Sequence, residues 1–267
     1  MLSVVLPAYN EEAVIEPVIA EHVSVLEELA AVGIEWEIVC VDDGSTDHTR
    51  EALGRLQKRV PQLRVILHPQ NQGIYASFAH LYQEAKGSLI YSTGSDGQWP
   101  AEHLKRLLEP VLAGADLAVG VRTNRRDVYS LRRRLVSFAY NWLSEVVFGV
   151  PIRDAGGVKL GRREMFGFEL LSRSPFSEAE RVIRAQREGW KVVFVPIDFR
   201  ARPAGTAKGA GWKNIFASMR DLARCVRAYG VRGEATATVR TCSTQTKVDN
   251  HSRVGGPTVM RWPTTRH

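Results

Sequence analysis

Short apolar runs alternate with stretches whose apolar side chains recur at helical spacing through the first 121 residues. Runs near 2–7, 36–42, 63–68, 88–93 and 115–121 have strand length, and their near-continuous hydrophobicity suits strands buried on both faces. Between them, 11–31 (with Val14, Val18, Val25, Leu26 and Leu29), 46–58, 73–86 and 101–113 carry the spacing of helices packed on a sheet. Ser45 or Thr46 suits the cap of the second helix and Pro100 the first turn of the fourth. The alternation predicts an α/β fold with a mostly parallel central sheet flanked by helices.

Beyond residue 122 the texture changes. Val128, Leu131, Leu135, Phe138, Trp142 and Val146 predict one long helix over 127–148. A turn with short strands at 151–162, a helix over 178–188 and a strand over 191–199 complete the expected second half. Residues 212–227 form an amphipathic pattern: Ile215, Phe216, Met219, Leu222, Ala223 and Val226 share one face, flanked by Lys213, Arg220, Arg224 and Arg227. That face suits packing on the core or lying at an anionic membrane interface. The Thr-, Arg-, Ser- and Gly-rich stretch 232–267 lacks periodicity and is expected to be disordered.

With 267 residues the chain can build one substantial core. Its net charge of +7 favours anionic partners without choosing among them. Arg-rich runs suit nucleic acid, yet no aromatic interleaving or binding module accompanies them, so nucleic acid is not expected. Cys40, Cys225 and Cys242 are too few and too dispersed for a disulfide framework or a zinc cluster. No run reaches the roughly 20 apolar residues of a membrane span, and Met1 enters a strand directly, so the expected location is cytoplasmic, with any membrane contact peripheral.

Chemistry-bearing residues gather where the strands end. Val41 runs into Asp42-Asp43-Gly44-Ser45-Thr46-Asp47, and Thr93 runs into Gly94-Ser95-Asp96-Gly97-Gln98. In an open α/β sheet such carboxylates line the edge where ligands bind. An Asp after the second strand can accept hydrogen bonds from a base or ribose while Gly44 turns the chain. An acidic helix cap explains Asp47 equally well. Pro7-Ala8-Tyr9-Asn10-Glu11-Glu12 opens the first helix and suits either a nucleotide or a plain cap. Two-residue spacing lets Asp96 and Gln98 approach one hard cation, although Asp-Gly alone is also a turn. Asp154, before Gly156-Gly157, is a turn residue or a base for a hydroxyl acceptor.

In order along residues 1–209, these segments resemble family 2 glycosyltransferases of the GT-A fold. Val119-Gly120-Val121-Arg122, Arg133, Ser137 and Asn141, Asp154 through Lys159, Glu180 with Arg184-Ala185, and Arg202-Pro203-Ala204-Gly205 resemble the dolichol- and polyprenyl-phosphate sugar transferases within it. The resemblance implies a single GT-A domain with a nucleotide-sugar half (1–121) and an acceptor half (122–209), followed by the 210–231 helix. It implies an inverting transfer of a hexose from a UDP- or GDP-sugar to a polyprenyl phosphate at the cytosolic membrane face. Pro7, Tyr9, Glu11, Asp42 and Asp43 would hold the nucleotide. Asp96 and Gln98 would hold Mg²⁺ or Mn²⁺. Arg202 and Lys208 would meet donor phosphate, and Arg122, Arg133 and Ser137 acceptor phosphate, with Asp96, Asp154 and Arg122 as the catalytic set. Family members usually carry an acid two residues before Asp96, and Gly94 stands there instead. Transfer to a glycan or small-molecule hydroxyl, or nucleotide-sugar binding without turnover, are the alternatives.

Overall fold

The computed structural model of the protein describes residues 1–124, 141–201 and 212–230. Seven strands form one sheet: β1 (Leu2–Ala8), β2 (Trp36–Asp42), β3 (Leu63–Leu67), β4 (Leu89–Ser92), β5 (Leu117–Arg122), β6 (Lys159–Arg162) and β7 (Val192–Ile197). Their order is β3-β2-β1-β4-β6-β5-β7. Only β6 runs antiparallel to its neighbours. The helices are α1 (Ile15–Ala30), α2 (Thr49–Arg59), α3 (Ile74–Glu84), α4 (His103–Leu112), α5 (141–148 of the described chain), α6 (Ser177–Arg187) and α7 (Trp212–Tyr229). No described helix is long and apolar enough to cross a membrane.

The central strands are apolar because both faces are covered. Val5, Val39, Val41, Ile90, Leu117 and Val119 meet Leu81 and Tyr82 of α3 and Val182 of α6 in one cluster. The alternate residues Val4, Leu6, Ile38, Cys40 and Tyr91 are equally buried. Tyr91 meets the His22 ring of α1 at 6.2 Å, which puts α1 on the opposite face. A smaller cluster of Phe148, Ile152, Ala155, Phe176, Ala179, Ile183 and Cys225 gathers α5, α6 and α7.

Chain order places β1 where the sheet reverses direction, with β2 and β3 to one side and β4 to the other. Because β1, β2, β4, β5 and β7 are parallel, their carboxyl ends share one edge, and β6 begins there. Ligands of open α/β sheets bind outside such an edge at the reversal.

The first four helices start later than their apolar spacing suggests, α1 at Ile15 and α2 at Thr49. Polar residues ahead of these two, Asn10 and Glu12 before α1 and Ser45 and Asp47 before α2, bond backbone across the sheet edge instead of continuing a helix. In the 151–162 stretch only Lys159–Arg162 is a strand. Of the expected 127–148 helix, residues 141–148 are described and helical.

Candidate functional site

The turns after β1 and β2 are laced together. Asn10 adopts a left-handed conformation (φ 55°), which Asn tolerates better than most residues. Its N–H donates to Ser45 Oγ at 3.1 Å, and its Oδ1 accepts from Thr46 N at 2.8 Å. Glu11 N donates to Thr49 Oγ1 at 2.8 Å, Glu12 N to Asp47 Oδ2 at 3.2 Å, and His48 N to Glu12 Oε2 at 2.9 Å. Burial pushes the Asp47 carboxyl up, but hydrogen bonds from the Thr49 hydroxyl and from backbone amides outweigh it and hold it below the ordinary range.

Asp42 and Asp43 brace this edge. Asp42 is fully buried, accepting from Ser45 N at 3.0 Å and Arg50 Nε at 2.9 Å. Asp43 accepts from Gln72 N and Gly73 N, both at 2.9 Å, just before the start of α3, where a negative charge is favoured. It also meets His68 Nδ1 at 2.8 Å, and His68 Nε2 lies 3.0 Å from His80 Nδ1. Gly44 makes the turn possible: its φ is +70°, and a Cβ there would fall 2.5 Å from the Gln70 carbonyl carbon. The two aspartates, expected to contact base and ribose, also shape the loops at this edge. Pro7, Tyr9 and Glu11 follow them half-buried at the same edge.

Beyond β4, Thr93 N donates to Val5 O at 3.1 Å and Ser95 Oγ to Pro7 O at 2.6 Å. These bonds fasten the Asp96 turn beside the end of β1. Asp96 Oδ1 accepts from Gln98 N at 3.2 Å, and Gln98 Nε2 donates to Arg200 O at 3.2 Å. With its amide nitrogen on Arg200, Gln98 can offer a cation only its side-chain oxygen. Among the described residues no three His, Cys, Asp or Glu side chains cluster as a metal site. One carboxylate and one amide oxygen nonetheless fit Mg²⁺ or Mn²⁺ of the kind completed by waters and substrate phosphates. A Cβ at Gly94 would lie 3.5 Å from Asp96 Oδ1, so an acid at that position would have stood beside Asp96.

The second half contributes Arg122 and Asp154 as a pair. Arg122 donates to Asp154 through Nε at 2.7 Å, Nη2 at 2.5 Å and its own backbone N at 3.1 Å. Its guanidinium lies over Trp99 at 5.6 Å and Phe199 at 5.4 Å. The two-glycine turn fits beneath: a Cβ on Gly157 would sit 1.9 Å from Gly120 O. Lys159, buried, ties the same turn from behind by donating to Ala155 O at 2.7 Å, Gly157 O at 3.0 Å and Glu178 Oε2 at 2.6 Å. Asp154, expected as a turn residue or a base, is positioned to orient Arg122.

Other expected residues have structural tasks. Asn141 turns inward, donating to Arg153 O at 3.1 Å. Glu180 is fully buried and accepts from Leu171 N and Ser172 N, both at 2.8 Å, and from Tyr229 Oη at 2.6 Å. Arg133, Ser137, Arg202 and Lys208 lie outside the described residues. Sequence reading missed the Arg122–Asp154 pairing, the aromatic walls of Trp99 and Phe199, and the His68 brace. Only the double glycine after Asp154 signalled a close approach.

Comparison with known proteins agrees with this geometry. Residues 3–176 match the family described as Glycosyl transferase family 2. The undecaprenyl-phosphate 4-deoxy-4-formamido-L-arabinose transferase of Pectobacterium carotovorum is 31% identical over 236 residues, covering 86% of this chain and 69% of that protein. The dolichol-phosphate mannosyltransferase of Pyrococcus furiosus is 28% identical over 237 residues, covering 86% of this chain and 64% of that one. Among solved structures, mannosyl-3-phosphoglycerate synthase from Rubrobacter xylanophilus superposes with a TM-score of 0.66 at 17% identity, over 86% of this chain and 75% of its own. Glucosyl-3-phosphoglycerate synthase from Mycobacterium tuberculosis, solved with Mn²⁺, UDP and phosphoglyceric acid, gives 0.62 at 20% identity, over 88% and 80%. These structures share the fold, and the match over residues 3–176 together with the 31% identical relative establishes that the chain belongs to glycosyl transferase family 2.

Proposed function

We propose that this glycosyltransferase moves a hexose from a nucleoside-diphosphate sugar to a polyprenyl phosphate. The observation that carries the reading is the meeting, at one sheet edge, of the Asp96 turn with an arginine held in place for an anion. Relatives named for undecaprenyl-phosphate and dolichol-phosphate transfer support the acceptor class, and the chain spans roughly two thirds of their lengths.

Chemistry follows from the residues. Pro7, Tyr9 and Glu11 line the nucleotide position, over loops braced by Asp42 and Asp43. Asp96 and Gln98 would hold a divalent ion, which would supply positive charge for the departing β-phosphate. Arg202 and Lys208 are assigned to the donor phosphates, and Arg133 and Ser137 join Arg122 at the acceptor phosphate. A phosphate monoester is already anionic, so its oxygen can attack C1 of the sugar directly, with inversion, while the sugar–phosphate bond breaks. No strong base is needed, which suits an Asp154 engaged by Arg122. A lipid acceptor together with a soluble nucleotide donor supports a reaction at the cytosolic membrane face.

The test is transfer of label from UDP- and GDP-hexoses with Mn²⁺ or Mg²⁺ to a short-chain polyprenyl phosphate. Acid-labile, lipid-extractable label that vanishes in Asp96→Asn and Arg122→Ala is the expected result. Label passing only to a glycan or small-molecule hydroxyl, or nucleotide binding with no turnover, overturns the proposal.

A further inference from the structure

Two helices that share the small cluster each turn large apolar side chains away from it. On α5, Phe148 and Ser144 are buried, while Trp142, Leu143 and Val146 are 56%, 40% and 51% exposed. On α7, Leu222 and Val226 pack against the cluster beside Cys225. Phe216 and Met219, nearly one turn apart, are 68% and 59% exposed. The apolar stripe legible in the sequence is therefore wider than the core needs. Five large apolar side chains left at the surface of two neighbouring segments mark an interaction face more than scattered exposure does.

Charge identifies the occupant. The acid on each of these described segments is turned to protein partners, Asp221 buried and Glu145 half-buried. Asp221 is fully buried, accepting from Arg173 N at 3.1 Å and Arg224 Nη1 at 3.3 Å. Glu145 Oε1 accepts from Ile152 N at 2.8 Å and Arg153 N at 2.7 Å. What α7 shows outward is Arg220, Arg224 and Arg227 beside Phe216 and Met219. Apolar side chains bordered by guanidinium groups on α7, with no outward acid on that helix, and the exposed Trp142 indole on α5 match an anionic lipid headgroup layer.

We propose that the outward faces of α5 and α7 seat the protein on an anionic bilayer. Trp142, Leu143, Val146, Phe216 and Met219 enter the boundary between headgroups and acyl chains, and Arg220, Arg224 and Arg227 lie among the lipid phosphates. This seat rests on exposure and charge, and it stands or falls separately from the transfer chemistry.

The experiment is co-sedimentation of the full chain with vesicles of phosphatidylcholine alone and with phosphatidylglycerol added. Preferential binding to the anionic vesicles is expected. Phe216→Ser with Met219→Ser, and separately Trp142→Ser with Leu143→Ser, should each weaken it about tenfold or more. Arg227→Gln should weaken it about fivefold, the equivalent of about 1 kcal/mol per basic residue near such a surface. Thermal stability and the shift produced by nucleoside diphosphate report that each variant is folded. Absent binding by the wild type, or undiminished binding by the folded variants, overturns the seat. So does self-association without vesicles that the same substitutions abolish, which assigns the face to a second copy of the chain. Transfer to a detergent-dispersed short-chain acceptor should be unchanged in these variants. Its absence in a wild type that still binds vesicles counts against the transfer reading and leaves the seat intact.

Discussion

Removing the Asp154 carboxylate tests the acceptor side most directly. Its side chain is 1% exposed and that of Arg122 11%, so Asp154→Ala takes from the guanidinium, packed against Trp99 and Phe199, the carboxylate that accepts from its Nε and Nη2, in a place water reaches poorly. Breaking a buried pair from one side costs about 3–5 kcal/mol, against a total of about 5–15 kcal/mol for a typical fold. Urea titration should show that loss, and a melting temperature lower by about 6 to 20 °C should accompany it. Arg122→Ala with Asp154→Ala should cost less than the sum of the single changes, by about 0.5–3 kcal/mol. Asp154→Asn keeps the shape and separates the roles. A positioning residue raises KM for the phosphate acceptor while the pH profile of kcat keeps its form; a base abolishes kcat. Single substitutions within about 1 kcal/mol of wild type, or strict additivity, refute the claim that the two residues act as one unit.

Gly94→Asp places a second carboxylate beside Asp96, so Mn²⁺ binding without nucleotide, followed by electron paramagnetic resonance, should appear in the variant, while the wild type requires nucleoside diphosphate; equal binding by both sinks the idea. Asn10→Ala puts an ordinary side chain at φ 55° and unties Thr46 N, for a loss of about 2–4 kcal/mol in urea unfolding; an unchanged midpoint counts against the latch. Burial raises the Glu178 carboxyl, but the Lys159 and Arg181 charges outweigh it and leave it below its ordinary 4.5. A lowered folded value means stability that is present above the unfolded value and lost as pH falls through the folded one. Unfolding free energies of wild type and Glu178→Gln should therefore converge from pH 7 toward pH 3, and a constant gap argues against the ion pair.

Hydrophobic pattern made the sheet legible because β1, β2 and β4 are covered on both faces, and an uninterrupted apolar run of strand length is what such double cover demands. Helix starts were less legible. Glu11, Glu12, Thr46 and Asp47 have the composition of helix caps, and only the partner loop some 35 residues away shows that they spend their hydrogen bonds on each other. The α7 wheel joined Leu222 and Val226 to Phe216 and Met219 in one stripe, yet packing divides them, since the inward side is set by the small cluster that α7 meets.

The site was legible in its edge and less so in its division of labour. Carboxylates after β2 and β4 point to a ligand whichever task each performs, and the parallel strands bring them to one side. Their tasks depend on the partners each finds: Arg50 and Ser45 for Asp42, the Gln72 and Gly73 amides and His68 for Asp43, Arg122 for Asp154. Two of those partnerships cross segments that are not sequence neighbours and leave no spacing to read. The consequence is chemical. An edge whose Asp42 and Asp43 also shape its loops and whose Asp154 is engaged by Arg122 suits the proposed phosphate acceptor, which brings its own negative charge and needs no carboxylate as a base.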